Sequence, residues 1–526
     1  MKITGLPKEF SETIAANEQL QRYLLGLTSG KPYTKRSWLF EWIENPNDIL
    51  LSWKDVLKKL KSGTAFEQEV FQFDTSSEEK WGPQGGVAPV AELMKDVVEP
   101  TFSQVSSPIP RAFTDPDWEK AKEVVSRRMA KRGVRGLRPA SYSTVVDDMR
   151  ARDTLESNSG WPDFKRRNFP EVKQRAVTDA LDGMWETYPA IALFRNYRQK
   201  TRLVWMFPMS TNIVEGSFYQ PLQSSLVNSK PVFYAPWVGF DAVRVVISDA
   251  YKKGLYVYAS DFSATDAHFV PRASFEVFDV LKRCFASGSS VTGLRRSLSR
   301  MHKIPLIVGP DQMVSGDHGV ASGSEWTNFI ESIFDEIFGV YVSIKLGDVK
   351  GLYAIGDDMT WVSQQFSEDF KTSLEKLGRE VGQDVQAKKT VADRDKVKTL
   401  QRLFIRGYSR PSDGLLRGVY PTIRALNSLV FPERMHKKRD WSEDMFCARC
   451  FMILENCVDH PLFEDFVQFV LRGNHHLGPF ARKTRRELNE ITRKSKLVPG
   501  LNPTYNQERR DSSLADFASI QVAKNL

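Results

Sequence analysis

The sequence predicts an α+β fold, a mixed core of strands and helices wrapped in helical layers. Three observations predict it. Helix-spaced apolar positions fill the first sixty residues, short β-like runs alternate with helices from about Tyr188, and helical periodicity returns after about Pro421. At 526 residues the chain exceeds what one hydrophobic core serves, so several domains or one elaborated fold are expected. Its 41% hydrophobic and 26% charged content excludes wholesale disorder. No run reaches the roughly 18 apolar residues of a membrane helix. Met1–Phe10 has no apolar stretch of a secretory signal. Four cysteines are too few for a disulfide framework, which points to a reducing compartment. Lys plus Arg number 74 against 65 Asp plus Glu, and the net +9 favours polyanions, RNA or DNA ahead of a membrane surface.

Taken in order, Leu39, Trp42, Ile43, Ile49, Leu50, Trp53, Val56, Leu57 and Leu60 carry helical spacing, interrupted at Asn45-Pro46-Asn47. Gly82 to Gly86 reads as a loop, Pro100 to Pro116 as a Pro- and Ser-rich connection, and Asp117 to Arg138 as a basic helix. The polar stretch from Pro499 to Leu526 reads as a weakly structured arm.

Four segments carry chemistry. Arg198, Lys200 and Arg202 stand at period two, so in an extended segment all three point one way, a row of cations suited to a triphosphate. Leu255, Val257, Ala259 and Asp261 share one strand face, which delivers Asp261 at the strand's end, with Asp266 beyond it. A glycine-rich loop, Gly316 to Gly323, opens a helix with Ser324 as N-cap. Its apolar stripe runs from Trp326 to Phe338, with Thr327, Asn328, Glu331 and Asp335 on the other side. Finally, Gly351 to Val362 reads as two strands joined by Gly356-Asp357-Asp358. Adjacent aspartates between apolar strands repel unless a divalent cation sits against them. Asp261 and Asp357 on neighbouring strands suit two ions roughly 4 Å apart for in-line phosphoryl transfer.

In this order, across about 165 residues, these segments resemble the motifs of viral RNA-dependent RNA polymerases. Gly319-Val-Ala-Ser-Gly-Ser-Glu-Trp-Thr327 and Lys200-Thr-Arg-Leu-Val-Trp205 look most like those of small double-stranded RNA viruses, picobirnaviruses first and partitiviruses next. The resemblance implies a right-hand fold of fingers, palm (antiparallel sheet plus helices) and thumb, closed by fingers–thumb connections. Residues 1–60 would be a helical extension bridging fingers and thumb, and 61–250 the fingers, with 283–316 inserted. Residues 251–282 and 317–415 would be the palm, 416–498 the thumb and 499–526 a C-terminal arm.

The implied activity is template-directed RNA synthesis from ribonucleoside triphosphates. Asp261, Asp357 and Asp358 would hold two Mg²⁺ or Mn²⁺ ions. Asp266 would read the ribose 2′-hydroxyl, and Ser322, Gly323 and Thr327 would form the template and ribose loop. Arg198, Lys200 and Arg202 would meet the triphosphate. In Asp384-Val-Gln-Ala-Lys388-Lys389 one lysine, taken as Lys389, would protonate leaving pyrophosphate. Leu403-Phe404-Ile405-Arg406-Gly407 resembles the turn that grips the primer strand. Implied partners are template and product RNA and a viral capsid protein, with no membrane; the implied location is the virion interior and host cytoplasm. One departure stands out: Glu331 occupies the place, four residues after Thr327, where many related enzymes carry Asn.

Other signals are set aside. Gly26 to Lys31 is one residue short of a phosphate loop. Cys447, Cys450, Cys457 and His460 have zinc-like spacing, but the cysteines also fit a helical core stripe and are read as buried thiols, so zinc is not expected. A reverse transcriptase shares the palm logic but excludes the 2′-hydroxyl. A non-catalytic RNA-packaging protein of the same fold would bind RNA and never extend it.

Overall fold

The computed structural model describes residues 1–526 except 153, 387–390, 435, 437 and 502–511. The chain begins with a strand, β1 (Lys2–Gly5), which the helical reading of the N-terminus did not anticipate. Helices α1 (Lys8–Ala15) and α2 (Glu18–Ser29) follow, the second capped by the Asn17 side chain, which accepts from the Leu20 amide. No helix forms through Leu39, Trp42 and Ile43; this stretch is irregular, and Pro46 starts α3 (Pro46–Leu57) instead of interrupting a longer helix. Proline's fixed φ and missing N–H suit the first helical position.

The first sixty residues divide between two cores. Ile14, Leu20 and Leu24 pack with Trp161, Phe164, Ile191 and Ile307. Leu39, Ile49, Trp53 and Leu57 pack instead with Ile423, Leu426, Phe446 and Phe466, far along the chain. The basic helix, α4 (Pro116–Lys131), stops short of Arg138.

Strands β2 (Ala190–Tyr197) and β3 (Lys200–Met206) form a hairpin. Its two-residue turn is Arg198-Gln199, both left-handed at φ 50° and 61°, the backbone that matches the twist of paired strands. Arg198 therefore does not continue the strand face of Lys200 and Arg202, which corrects the period-two row of three cations. Helix α5 (Met209–Asn228) is buried along most of its length. Strand β4 (Tyr256–Ser263) precedes β5 (Leu306–Ile307) and β6 (Gln312–Ser315), which complete a sheet of order β1-β6-β5-β2-β3.

Helix α6 (Trp326–Leu346) leads to β7 (Lys350–Ile355), β8 (Asp358–Ser363), β9 (Asp384–Val385) and β10 (Val391–Ala392). The second sheet runs β10-β4-β8-β7, with β9 also on β4. Its neighbours β11 (Lys396–Thr399) and β12 (Arg402–Ile405) form a separate ribbon. Both sides of α6 are covered: Glu331, Asp335 and Glu336 are buried along with the apolar stripe.

The C-terminal layer includes α7 (Glu443–Glu455), and the chain ends in α8 (Ala518–Asn525), which corrects the arm reading for its last residues; 502–511 of the arm lie outside the described residues. Glu455 accepts from the Ala518 and Ser519 amides and the Ser519 hydroxyl, capping α8. Leu514, Phe517, Ile520 and Ala523 are buried in the same core as α7, so the end of the chain packs into the C-terminal layer and not over the carboxylates. Cys447, Cys450 and Cys457 are buried there as free thiols, while His460 Nε2 lies 2.9 Å from Asp74 Oδ2. No helix among the described residues is long and apolar enough to cross a membrane.

Candidate active site

Strand β4 delivers Asp261 directly opposite Asp358 of β8, and Asp357 occupies the turn between β7 and β8. Like charges facing each other across a ladder destabilise a sheet, so this pairing serves something other than stability. Helix α6 fixes the turn from beneath. Ser332 Oγ accepts from the Gly356 amide at 2.9 Å and donates to the Asn328 carbonyl at 2.7 Å. Asp266 follows β4 in a single helical turn, as expected of a residue beyond the strand.

Together with Glu331 and Asp335 of α6, six carboxylates form one cluster. Asp266, Asp357 and Asp358 are open to solvent, whereas Glu331 and Asp335 lie buried below them. One oxygen of each buried acid, Glu331 Oε1 and Asp335 Oδ2, has no hydrogen-bond partner. Desolvation by the protein wall, then Asp357 and Asp261, pushes Asp358 up to about 7. Asp266 rises to about 6 through desolvation and Asp357, with Arg202 and Lys200 pulling the other way. Asp357 is also raised, chiefly by desolvation; its own amide, Arg202 and Lys200 oppose the rise. Burial, Asp266, Asp357 and Asp335 raise Glu331, and burial with Asp357 and Asp358 raises Asp335. Lys200 and Arg202 thus act on the carboxylates from β3.

The chemistry of this donor set fits a hard divalent cation, since all donors are carboxylate oxygens whose mutual repulsion such an ion relieves. Among the described residues no three acidic, His or Cys side chains converge into a cage by themselves.

The loop before α6 is fixed by close approach. A Cβ on Gly323 would lie 1.6 Å from the Trp205 carbonyl oxygen, and one on Gly319 would lie 1.8 Å from that of Asp266. Ser322 Oγ sits 3.4 Å from both the Leu203 carbonyl and the Trp205 amide, tying the loop to β3. Thr327 Oγ1 donates to the Ala321 carbonyl at 2.6 Å. Glu325, not Ser324, occupies the cap position of α6, yet the Ser324 hydroxyl still accepts from the Trp326 amide at 3.1 Å.

Two residues of α5 that sequence reasoning did not single out complete this loop. Asn212 Nδ2 donates to the Gly323 carbonyl at 3.1 Å. Glu215 accepts from the Ser324 hydroxyl and, at 2.7 Å, from the Glu325 amide. Burial, set against the Ser324 hydrogen bond, pushes Glu215 from 4.5 up to about 8. The folded state therefore holds a proton between pH 4.5 and 8 that the unfolded chain has lost, and this site's contribution to stability falls as pH rises through that window. Glu215→Gln is expected to abolish that component. Its thermal midpoint should match wild type near pH 5 and exceed it near pH 8; an unchanged difference across the two pH values would refute the assignment.

The remaining expectations divide. Leu403 and Phe404 are buried core residues, and the exposed position of the same segment is the turn at Gly407. Lys388 and Lys389 lie outside the described residues.

Residues 179–402 match the family model described as viral RNA-dependent RNA polymerase. The chain is 27% identical over 480 residues to the "Potential RNA-dependent RNA polymerase" of Human picobirnavirus (strain Human/Thailand/Hy005102/-), covering 87% of this chain and 85% of that protein. Its fold is similar to the crystal structure of the RNA-dependent RNA polymerase of a human picobirnavirus, with TM-score 0.83 and 22% identity over 99% of this chain and 100% of the other. An insertion-loop deletion mutant of that polymerase matches with TM-score 0.82 over the same shares. The fold is thus the right-hand polymerase fold.

Proposed function

We propose, from the premise that this chain belongs to the viral RNA-dependent RNA polymerases, that its solvent-open carboxylates and the Lys200–Arg202 strand form one nucleotidyl-transfer site. The chain copies an RNA template from ribonucleoside triphosphates. The observation that supports the site assignment is that Lys200 and Arg202 act electrostatically on Asp266 and Asp357, so two cations able to meet a triphosphate stand near the acidic rim.

In this reading the 3′-hydroxyl of the growing strand attacks the α-phosphate and pyrophosphate leaves. Lys200 and Arg202 hold the triphosphate through charge-assisted hydrogen bonds and balance its negative charge. Asp261, Asp357 and Asp358 would hold two divalent ions, Mg²⁺ or Mn²⁺, which when bound stabilise charge on the attacking and leaving oxygens. Asp266 and Thr327 read the ribose 2′-hydroxyl, which favours ribonucleotides over the deoxyribonucleotides of a reverse transcriptase. Ser322 and Gly323 support the template strand.

Residues 1–60 serve as the bridge between fingers and thumb, supported by their division between two cores. Residues 61–250 with 283–316 act as fingers, 251–282 and 317–415 as palm, and 416–498 as thumb; the helix after residue 511 is an added thumb element. The setting is a virion interior and host cytoplasm, with a capsid protein as further partner.

The test is incorporation of labelled ribonucleotides on a short single-stranded RNA with Mg²⁺ or Mn²⁺. Template-dependent product, with deoxyribonucleotides excluded, is expected. RNA binding without extension under any cation would favour the packaging role instead. RNA affinity should fall steeply between about 50 and 200 mM salt, because backbone contacts release counterions.

A further inference from the structure

The hairpin carrying Lys200 and Arg202 lies at the edge of its sheet, so among the described residues β3 has a ladder partner on one side only. Its tip is nevertheless tied to the far half of the molecule. Gln84, only 2% exposed, uses both ends of its amide: Nε2 donates to the Phe431 carbonyl at 2.8 Å, and Oε1 accepts from the Arg198 amide at 2.9 Å. One side chain thus joins the C-terminal core to the turn that immediately precedes Lys200.

The surrounding loop repeats the connection. The Gly85 amide donates to the Asn196 carbonyl at 3.0 Å, while a Cβ on Gly85, at φ +79°, would lie 2.3 Å from the Glu433 carbonyl oxygen. The Gly82 amide donates to Asn427 Oδ1 at 2.8 Å, and Gln199 Nε2 to the Trp81 carbonyl at 3.4 Å. Beside them Arg195 of β2 makes a two-pronged pair with Glu433, each hydrogen bond at 2.7 Å. Burial works against the Glu433 charge, yet Arg195, Arg434 and Lys31 hold its carboxyl below the ordinary range.

We propose that Gln84 and the Arg195–Glu433 pair form a latch that couples closure between the β2–β3 hairpin and the C-terminal layer to triphosphate affinity. This rests on the reading of Lys200 and Arg202 as triphosphate contacts. Gln84 is a positioning residue: it touches no substrate and acts by holding the turn from which both cations project. With the latch broken, the hairpin samples orientations that carry Lys200 and Arg202 off the acidic rim. Apparent affinity then falls by the fraction of molecules in the competent state, whereas saturating nucleotide selects that state and restores turnover.

Steady-state incorporation by the full chain tests this. Gln84→Ala should raise KM for ribonucleoside triphosphate about five-fold with kcat within about two-fold, the effect of losing a buried hydrogen-bonded bridge. Gln84→Glu keeps an acceptor for Arg198 but sets a second acceptor against the Phe431 carbonyl, and should raise KM at least as much. Arg195→Glu and Glu433→Arg should each raise KM, and the double swap should bring it back toward wild type; a role confined to stability would lower active fraction and kcat instead. Lys200→Ala, measured alongside, separates the two layers of the argument. If it raises KM while Gln84→Ala and both single swaps leave KM at wild type, the latch is overturned and the triphosphate reading stands. If Lys200→Ala also leaves KM unchanged, the triphosphate reading falls and takes the latch with it.

Discussion

Replacing Asp357 with Asn is expected to reduce RNA synthesis by about a thousandfold or more, the scale of losing a principal ligand at a phosphoryl-transfer centre. RNA binding should persist, because backbone recognition rests on cations elsewhere and the variant removes a negative charge. Asp261→Ala should behave alike, since its strand faces Asp358 and its charge raises both Asp357 and Asp358. Removing the Asp357 charge also relieves the crowding with Asp266, Glu331, Asp335 and Asp358. The Asn variant should therefore melt higher than wild type in EDTA at pH 8, and millimolar Mg²⁺ should stabilise it less. Wild-type turnover in either variant, or an undiminished response to Mg²⁺, would remove these carboxylates from the centre.

The second large effect is expected at Gly323. A Cβ there would sit 1.6 Å from the Trp205 carbonyl oxygen and 2.8 Å from its carbon, and the obstructing atoms are backbone that cannot rotate away. Either the loop or β3 must move, and β3 carries Lys200 and Arg202. Gly323→Ala should cost about 3–5 kcal/mol in chemical denaturation and abolish incorporation in the fraction that folds. Gly26→Ala is the control: nothing lies within 4 Å of its Cβ, and it sits within helix α2. That change should stabilise slightly, by up to about 1 kcal/mol. Equal stability of the two variants would show that the close approach is relieved at little cost.

The acidic rim was legible in the sequence because strand alternation delivers Asp261 at a defined end and because Asp357-Asp358 is a poor choice for a plain turn. The floor was harder to read. Glu331 and Asp335 lie on the polar side of α6, which in an isolated helix would read as the face toward water; only the second sheet and the loop above reveal that this side is covered. Glu215 is hidden for a related reason, standing in a helix buried nearly all round and so lacking a distinguishing face.

Period two ran through Arg198 without a visible break, because Arg-Gln is not one of the dipeptides that announce a left-handed hairpin turn. At the chain's end, polar composition masked a short stripe of Leu514, Phe517 and Ile520, whose burial depends on a core assembled by distant residues. The N-terminal strand has the same character: four residues find their place only against β6.

The division of the first sixty residues between two cores also bears on how the chain is made. Trp53 donates its indole N–H to Thr422, 369 residues later, and Leu57 and Leu60 join a core that includes Ile520 and Ala523. A nascent chain emerging from the ribosome thus exposes these apolar side chains until their partners from Thr422 to Ala523 have been made, and their burial is a late, long-range closure. Chains released early lack a partner for that surface, and exposed apolar surface of this kind favours aggregation. Residues 39–60 are thus sealed only once the C-terminal layer exists, so the order of synthesis itself sets when that surface is covered.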